Sequence, residues 1–209
     1  MKINDIYCKG DLYVFDDCFS DEELRKIWTE LNFLRESFKL LPSTLSGASE
    51  TNDGLIKKTG YGVFLENVYL NTSLSDLAVL THQKLFEGKF VDELCSLNKH
   101  FKYLRLVNYA TTLVNYYDHG QAYDRHFDYS VFTAVFCFCL DESKFSGGDL
   151  MFPELSITIP PKNNRLIIFP GYEDHMVSKM DMEEGARLLG GFGRYGVTKF
   201  LLVERSFHD

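Results

Sequence analysis

The chain has 209 residues, of which 45% are hydrophobic and 25% charged, a composition typical of soluble globular proteins. Its 22 basic and 30 acidic residues give a formal net charge of −8. Such a chain lacks the broad basic surface that grips a phosphate backbone, so nucleic acid is disfavoured as a partner.

The five cysteines are odd in number and have no Cys-x-x-Cys spacing, which excludes a complete disulfide framework within the chain and any zinc or redox motif of that type. The N-terminus lacks a hydrophobic signal core, and no segment reaches the length of a membrane span. We therefore expect a cytoplasmic protein without membrane contact.

The first strong local signal is a helix start. Ser20 and Glu23 form a Ser-x-x-Glu capping box, which predicts a helix from about Asp21 to Arg35. Apolar residues recur behind the box at helical spacing, which favours packing against a sheet: Leu24, Ile27, Trp28, Leu31 and Leu34.

The segment Pro42–Gly62 is rich in turn-forming residues and predicts a long loop, either a lid over a site or a solvated excursion. Lys57 and Lys58 beside it are expected to be a solvated pair. Helices are predicted over Ser73–Phe86 and Lys89–Leu97.

From Phe101 onward the pattern indicates strands separated by turn signals, typical of a sandwich, barrel or double-sheet jelly roll. The chain is expected to form one domain, with helical and loop support over about residues 20–100 and a β core over about 101–205. The predicted strands are Leu104–Tyr109, Thr111–Tyr117, Val131–Leu140, Leu150–Phe152, Leu155–Ile159, Leu166–Phe169, Ala186–Phe192 and Val197–Val203.

His126 and Asp128 are separated by one residue, so on an extended segment both side chains point to the same face. Together they supply two of the three groups of a 2-His-1-carboxylate iron site. His175 follows an apolar strand and the Pro170-Gly171 turn and could reach the same site from the opposite side. Arg187 opens an apolar segment, where a guanidinium needs an anionic partner such as a ligand carboxylate.

These residues resemble the 2-oxoglutarate and Fe(II)-dependent dioxygenases, in their prolyl 4-hydroxylase-like branch. The resemblance covers most of the chain and is weakest between about Phe38 and His100. The shared pattern is Tyr117-x-x-Gly120-x-x-Tyr123-x-x-His126-x-Asp128, Gly147-Gly148-x-Leu150-x-Phe152-Pro153, Leu166-Ile-Ile-Phe169-Pro170, His175 and Gly185-x-Arg187.

The resemblance implies a mainly β (α+β) protein, with a double-stranded β-helix (jelly-roll, cupin-like) core and helices packed on one face. It implies iron ligation by His126, Asp128 and His175, a contact from Arg187 to the distal carboxylate of 2-oxoglutarate, and a pocket lined by Tyr117. The implied cosubstrates are 2-oxoglutarate and O₂, with ascorbate in a supporting role. The chain departs from the pattern at Cys139 and Val135, where many relatives carry Tyr and Thr.

The implied reaction is hydroxylation of a substrate C–H bond with release of succinate and CO₂, on prolyl or other protein side chains first. Two alternatives stay open at this point. The same chemistry could act on a free amino acid, a nucleotide-type molecule or another small molecule. Alternatively, the chain could be a jelly-roll binding protein that has no catalytic activity and a degenerate or zinc-filled site.

Overall fold

The structure is a computed structural model that describes residues 1–46, 57–187 and 190–204. Its α-helices are α1 (Asp21–Glu36), α2 (Asp76–Phe86) and α3 (Phe90–Leu97). None of the helices in these ranges is long and apolar enough to cross a membrane. The Ser20 capping box is confirmed: the Ser20 hydroxyl accepts from the Glu23 amide, and the Glu23 carboxylate accepts from the Ser20 amide.

Short strands make up most of the remaining described chain. In chain order they are β1 (Lys2–Ile3), β2 (Tyr13–Asp16), β3 (Leu41–Pro42), β4 (Lys58–Thr59), β5 (Tyr61–Phe64), β6 (Tyr109–Tyr117), β7 (Ala122–His126), β8 (Phe132–Phe138), β9 (Phe145–Ser146), β10 (Leu150–Phe152), β11 (Ile157–Ile159), β12 (Arg165–Pro170), β13 (His175–Val177), β14 (Asp181–Met182) and β15 (Arg194–Leu202).

Two antiparallel sheets form the β core. The larger has the order β1-β2-β12-β8-β15-β6-β5-β3, and the smaller has the order β11-β10-β13-β7-β4. Strands that are distant in sequence, such as β15 and β6, are direct neighbours. This double-sheet arrangement is the predicted jelly-roll core, and the strands of the described chain do not close into a barrel.

The larger sheet is covered on both faces. On β8, Phe136 and Phe138 pack with α1 residues such as Leu31, whereas Val135 packs toward the smaller sheet beside Val177. Every residue of β8 is buried, which explains its almost continuous apolar run. The side of this sheet that faces the smaller sheet and the side that faces α1 are thus distinct environments.

Some local predictions were wrong. Of the segment predicted as strand Leu104–Tyr109, the first half lies in a 3₁₀-helix, Lys99–Leu106, and only Tyr109 belongs to a strand. The predicted strand Ala186–Phe192 is replaced, in its described part, by a 3₁₀ turn at Glu184–Ala186, and the last strand starts only at Arg194. Apolar composition alone does not separate a strand from a tight turn packed on a core.

The loop predicted over Pro42–Gly62 can be compared with the structure only at its two ends. Residues 47–56 lie outside the described residues, whereas Lys58–Thr59 and Tyr61–Phe64 are strands that join different sheets. The C-terminal part of the segment is therefore built into the β core.

Candidate active site

His126, Asp128 and His175 meet on the smaller sheet. His126 ends β7 and His175 begins β13, and the two residues are directly paired across the antiparallel ladder. Asp128 follows β7, and its amide donates to the Gly171 carbonyl at 2.8 Å. The backbone thus brings a sequence-distant histidine beside the His-x-Asp pair.

One ligand atom from each residue lies within 4.8 Å of the other two, so the group could hold a metal ion. His126 Nε2 is 3.9 Å from Asp128 Oδ1, and His175 Nε2 is 3.6 Å from Asp128 Oδ2. The carboxylate therefore faces both imidazoles through different oxygens.

Hydrogen bonds orient all three groups. The Nδ1 atoms of His126 and His175 lie 2.8 Å from the Asp124 carbonyl and 2.9 Å from the Glu173 carbonyl, so each Nδ1 donates to a carbonyl and each Nε2 is left to face the site. The Thr133 hydroxyl donates to Asp128 Oδ2 at 2.6 Å. These contacts point two imidazole lone pairs and one carboxylate at a common point.

The electrostatics of the site favour a metal over protons. Burial lowers the pKa of His126 to about 3, and the neighbouring His175 adds to this effect. The same burial raises the pKa of Asp128, against the opposing effects of His175 and Thr133. A neutral His126 can ligate without losing a proton, and a cation would stabilise the ionised Asp128.

A buried arginine lies on the face of the larger sheet that looks toward these three residues. Arg194 begins β15 and pairs directly with Tyr117 of β6, and its guanidinium carbon is 5.5 Å from the Tyr117 ring centre. Gly193 precedes it where a side chain would clash, because an added Cβ would lie 2.2 Å from the Tyr117 carbonyl oxygen. Arg194, Tyr117 and the three possible ligands line one pocket.

Arg194 is only 2% exposed, and it makes no ion pair within the described residues. One Nη donates weakly to Cys137 Sγ at 3.5 Å, and Nε is buried without a partner in the described part of the chain. A desolvated guanidinium in this state fits a carboxylate of a bound ligand.

A second buried basic side chain adjoins the pocket. Lys58 is 1% exposed, donates to Asn115 Oδ1, and lies 5.9 and 5.6 Å from the ring centres of Tyr117 and Tyr123. Burial lowers its pKa to about 7, and the charge of Arg194 adds to that effect. The prediction of a solvated Lys57–Lys58 pair was therefore wrong for Lys58.

Arg187, predicted from the sequence to contact the cosubstrate, is not brought to this pocket. It is exposed beyond the 3₁₀ turn, and its Nε donates to the Met182 carbonyl at 3.1 Å. Arg187 and Arg194 have similar sequence surroundings, since each follows a glycine within two residues and precedes apolar residues. The signal that separates them is the inward alternation of Arg194, Gly196 and Thr198 along β15.

The two departures from the family pattern have different surroundings. Val135 lines the pocket beside Thr133, which supplies the hydroxyl contact to Asp128. Cys139 is buried at the end of the same segment, and burial raises its thiol pKa. Tyr123 stacks on the His126 ring with centroids 3.6 Å apart and helps to orient it.

Comparison with known families agrees with this geometry. Residues 112–201 match the sequence profile of the 2OG-Fe(II) oxygenase superfamily. The matched segment runs from β6 into β15 and contains the three possible ligands and Arg194. The resemblance predicted from the sequence is confirmed, and this superfamily uses Fe(II), 2-oxoglutarate and O₂. Comparison with curated protein sequences found no match.

Solved structures share the fold along nearly the whole chain. A prolyl-4-hydroxylase from Pseudomonas putida is 16% identical, with a TM-score of 0.61 and coverage of 96% of both chains. A 2OG-Fe(II) oxygenase family oxidoreductase from Burkholderia pseudomallei is 11% identical, with a TM-score of 0.60 and coverage of 93% of this chain and 86% of the other. A truncated viral collagen prolyl hydroxylase from Paramecium bursaria Chlorella virus-1 is 14% identical, with a TM-score of 0.55 and coverage of 94% and 91%.

Proposed function

We propose that this protein is an Fe(II)- and 2-oxoglutarate-dependent dioxygenase that hydroxylates a prolyl or other protein side chain. The observation that carries the proposal is the convergence of two imidazole Nε2 atoms and one carboxylate in a pocket that also contains a buried guanidinium, which forms no ion pair within the described residues. A metal site alone would not need that guanidinium.

The donor set fits iron. His126, Asp128 and His175 would hold Fe(II) through two nitrogens and one oxygen, the ligand set of non-haem oxygenases that leaves coordination positions open. When bound, iron and 2-oxoglutarate supply the oxygen-activating chemistry, in which 2-oxoglutarate and O₂ become succinate and CO₂ and one oxygen atom enters the substrate C–H bond.

The remaining groups have positioning roles. Arg194, rather than Arg187, would pair with the distal carboxylate of 2-oxoglutarate, and Tyr117 would form the wall beside it. Lys58 adds a second positive group near a ligand that carries two negative charges. Tyr123 and Thr133 would fix the orientation of His126 and Asp128.

The surface beside the possible ligands supports a peptide substrate. Phe127 and Tyr129 flank Asp128 in sequence, are 50% and 83% exposed, and meet edge to face with centroids 5.2 Å apart. Exposed aromatic rings suit extended proline-containing segments, which present flat apolar rings and little conformational entropy to lose. The Pseudomonas and viral proteins are described as prolyl hydroxylases, which agrees with this substrate class.

Turnover of 2-oxoglutarate tests the proposal. The purified protein with Fe(II), ascorbate and proline-containing peptides should release succinate, and the peptide should gain the mass of one oxygen atom. His126→Ala should abolish both products because the metal loses a ligand. His100→Ala is the matched control, since His100 is an exposed histidine paired with Asp11.

Three outcomes are distinguishable. Succinate release without peptide oxidation, but with oxidation of a free amino acid or another small molecule, would move the substrate class and keep the reaction. Absence of succinate with every substrate would contradict the enzyme proposal and favour a binding protein. Equal activity of wild type and His126→Ala would contradict the assigned metal site.

A further inference from the structure

A larger cavity than the metal pocket lies on the opposite face of the larger sheet. Its volume is about 480 Å³, and it is bounded by α2, the start of β6 and the end of β15. We call it the α2 cleft and define it by Ala78, Val79, Phe86, Thr112 and Lys199. This volume is within the range of small-molecule sites in proteins.

Strand alternation separates the α2 cleft from the metal site. On β15, Thr198 lines the metal pocket, whereas the next residue, Lys199, lines the α2 cleft. Thr112 is paired with Lys199 across the β6–β15 ladder and faces the same cleft. A ligand in the α2 cleft would therefore bind independently of iron and 2-oxoglutarate.

Lys199 is a buried cation without a charged partner in contact. It is 4% exposed, and its Nζ donates to the Thr112 hydroxyl at 3.0 Å. No carboxylate of the described chain forms an ion pair with it, although Glu66 is near enough to act on its charge. Burial lowers the pKa of Lys199 to about 8, against the attraction of Glu66. At neutral pH the side chain is still mainly charged, and an anion would offset its desolvation.

The other residues that line the cleft limit the shape and the charge of an anion that could bind there. Val79 and Phe86 of α2 provide an apolar wall, and His82 packs on Phe86 with ring centroids 5.0 Å apart. Two exposed acidic residues, Glu66 and Glu87, also line the cleft, and Glu66 Oε1 accepts from the Thr112 amide at 3.0 Å. A second negative charge on the ligand would meet these carboxylates, so one anionic group joined to an apolar body fits best.

We propose that the α2 cleft binds a small monocarboxylate, with its carboxylate paired to Lys199 and its apolar body against Val79 and Phe86. The proposal goes beyond the oxygenase reaction and does not depend on it. It assigns to this chain a second small-molecule site, on the helix-covered side of the sheet that carries Arg194.

Phenylacetate and its neutral analogue phenylacetamide test the proposal by isothermal titration calorimetry on the full chain. Phenylacetate should bind saturably, and phenylacetamide should bind at least about tenfold more weakly, which corresponds to about 1.4 kcal/mol. Saturating 2-oxoglutarate should not displace phenylacetate. Absence of saturable binding, equal binding of acid and amide, or displacement by 2-oxoglutarate would each overturn the proposal.

Substitutions inside and outside the α2 cleft test whether phenylacetate binds there. Lys199→Met should remove the preference for the acid over the amide while preserving the fold, because an apolar side chain of similar length replaces a buried charge. Val79→Trp should block both ligands by filling the cleft. Lys102→Met is the matched control, since Lys102 is exposed and lies outside the cleft. Unchanged binding in Lys199→Met would contradict the assignment, and the acid–amide comparison in wild type decides even if a variant fails to fold.

Discussion

Replacement of Arg194 by methionine should have opposite effects on cosubstrate binding and on stability. The guanidinium is buried, has an unpartnered Nε within the described chain and forms no ion pair there. Truncating one partner of a buried charge pair typically costs about 2–5 kcal/mol. The dissociation constant of 2-oxoglutarate should therefore rise roughly 30-fold to 4,000-fold.

Without 2-oxoglutarate the same substitution removes a buried charge that contacts no charged partner among the described residues. Apolar replacement of buried charged groups is often neutral or stabilising by about 1–4 kcal/mol. Arg194→Met should therefore unfold at the same temperature as wild type or a higher one when no cosubstrate is present. A residue needed only for folding would show the opposite sign.

Calorimetric titration of 2-oxoglutarate into Mn(II)-loaded protein, together with thermal unfolding, measures both quantities without turnover. Arg187→Met is the matched control because Arg187 is exposed and outside the pocket, and its affinity should equal that of wild type. Arg194→Lys should recover part of the affinity, since an ammonium supplies charge without the bidentate geometry. A loss of affinity in Arg187→Met and not in Arg194→Met would refute the reasoning.

Two further predictions concern the hydrogen-bonded carboxylates of Asp128 and Asp16. Thr133→Val should weaken metal binding by about 10–100-fold, because the hydroxyl that holds Asp128 Oδ2 is lost, and metal titration followed by calorimetry checks this. At Asp16, burial alone would raise the pKa, but hydrogen bonds from Arg165, Asn4 and Lys162 outweigh it and lower the pKa to about 2. The unfolded chain then binds the proton first, so the free energy of unfolding should fall as the pH drops from about 4 to about 2. Asp16→Asn should lower stability at pH 7 by about 3 kcal/mol and weaken this pH dependence, as measured by urea unfolding.

Local chemistry explains which elements were predictable. The Ser20 capping box needs only four neighbouring residues, and α1 begins where it predicts. Within the apolar run Val131–Leu140, the strand Phe132–Phe138 is buried on both faces, as predicted. Strand ends were harder because they depend on pairing partners far away in sequence, as at Arg194, where β15 begins opposite Tyr117.

The sequence by itself indicated a core of short strands and turns, and its resemblance to the dioxygenases implied the jelly roll. It also indicated, from the one-residue spacing, that His126 and Asp128 share one face of an extended segment, whichever strand pairs with it. It also pointed to His175. Only the tertiary structure decided which cations reach the pocket. Lys58 arrives through the pairing of β4 with β7, and Arg194 through the register of β15 against β6. Such pairings join residues far apart in the chain, so the spacing that favoured Arg187 could not reveal them.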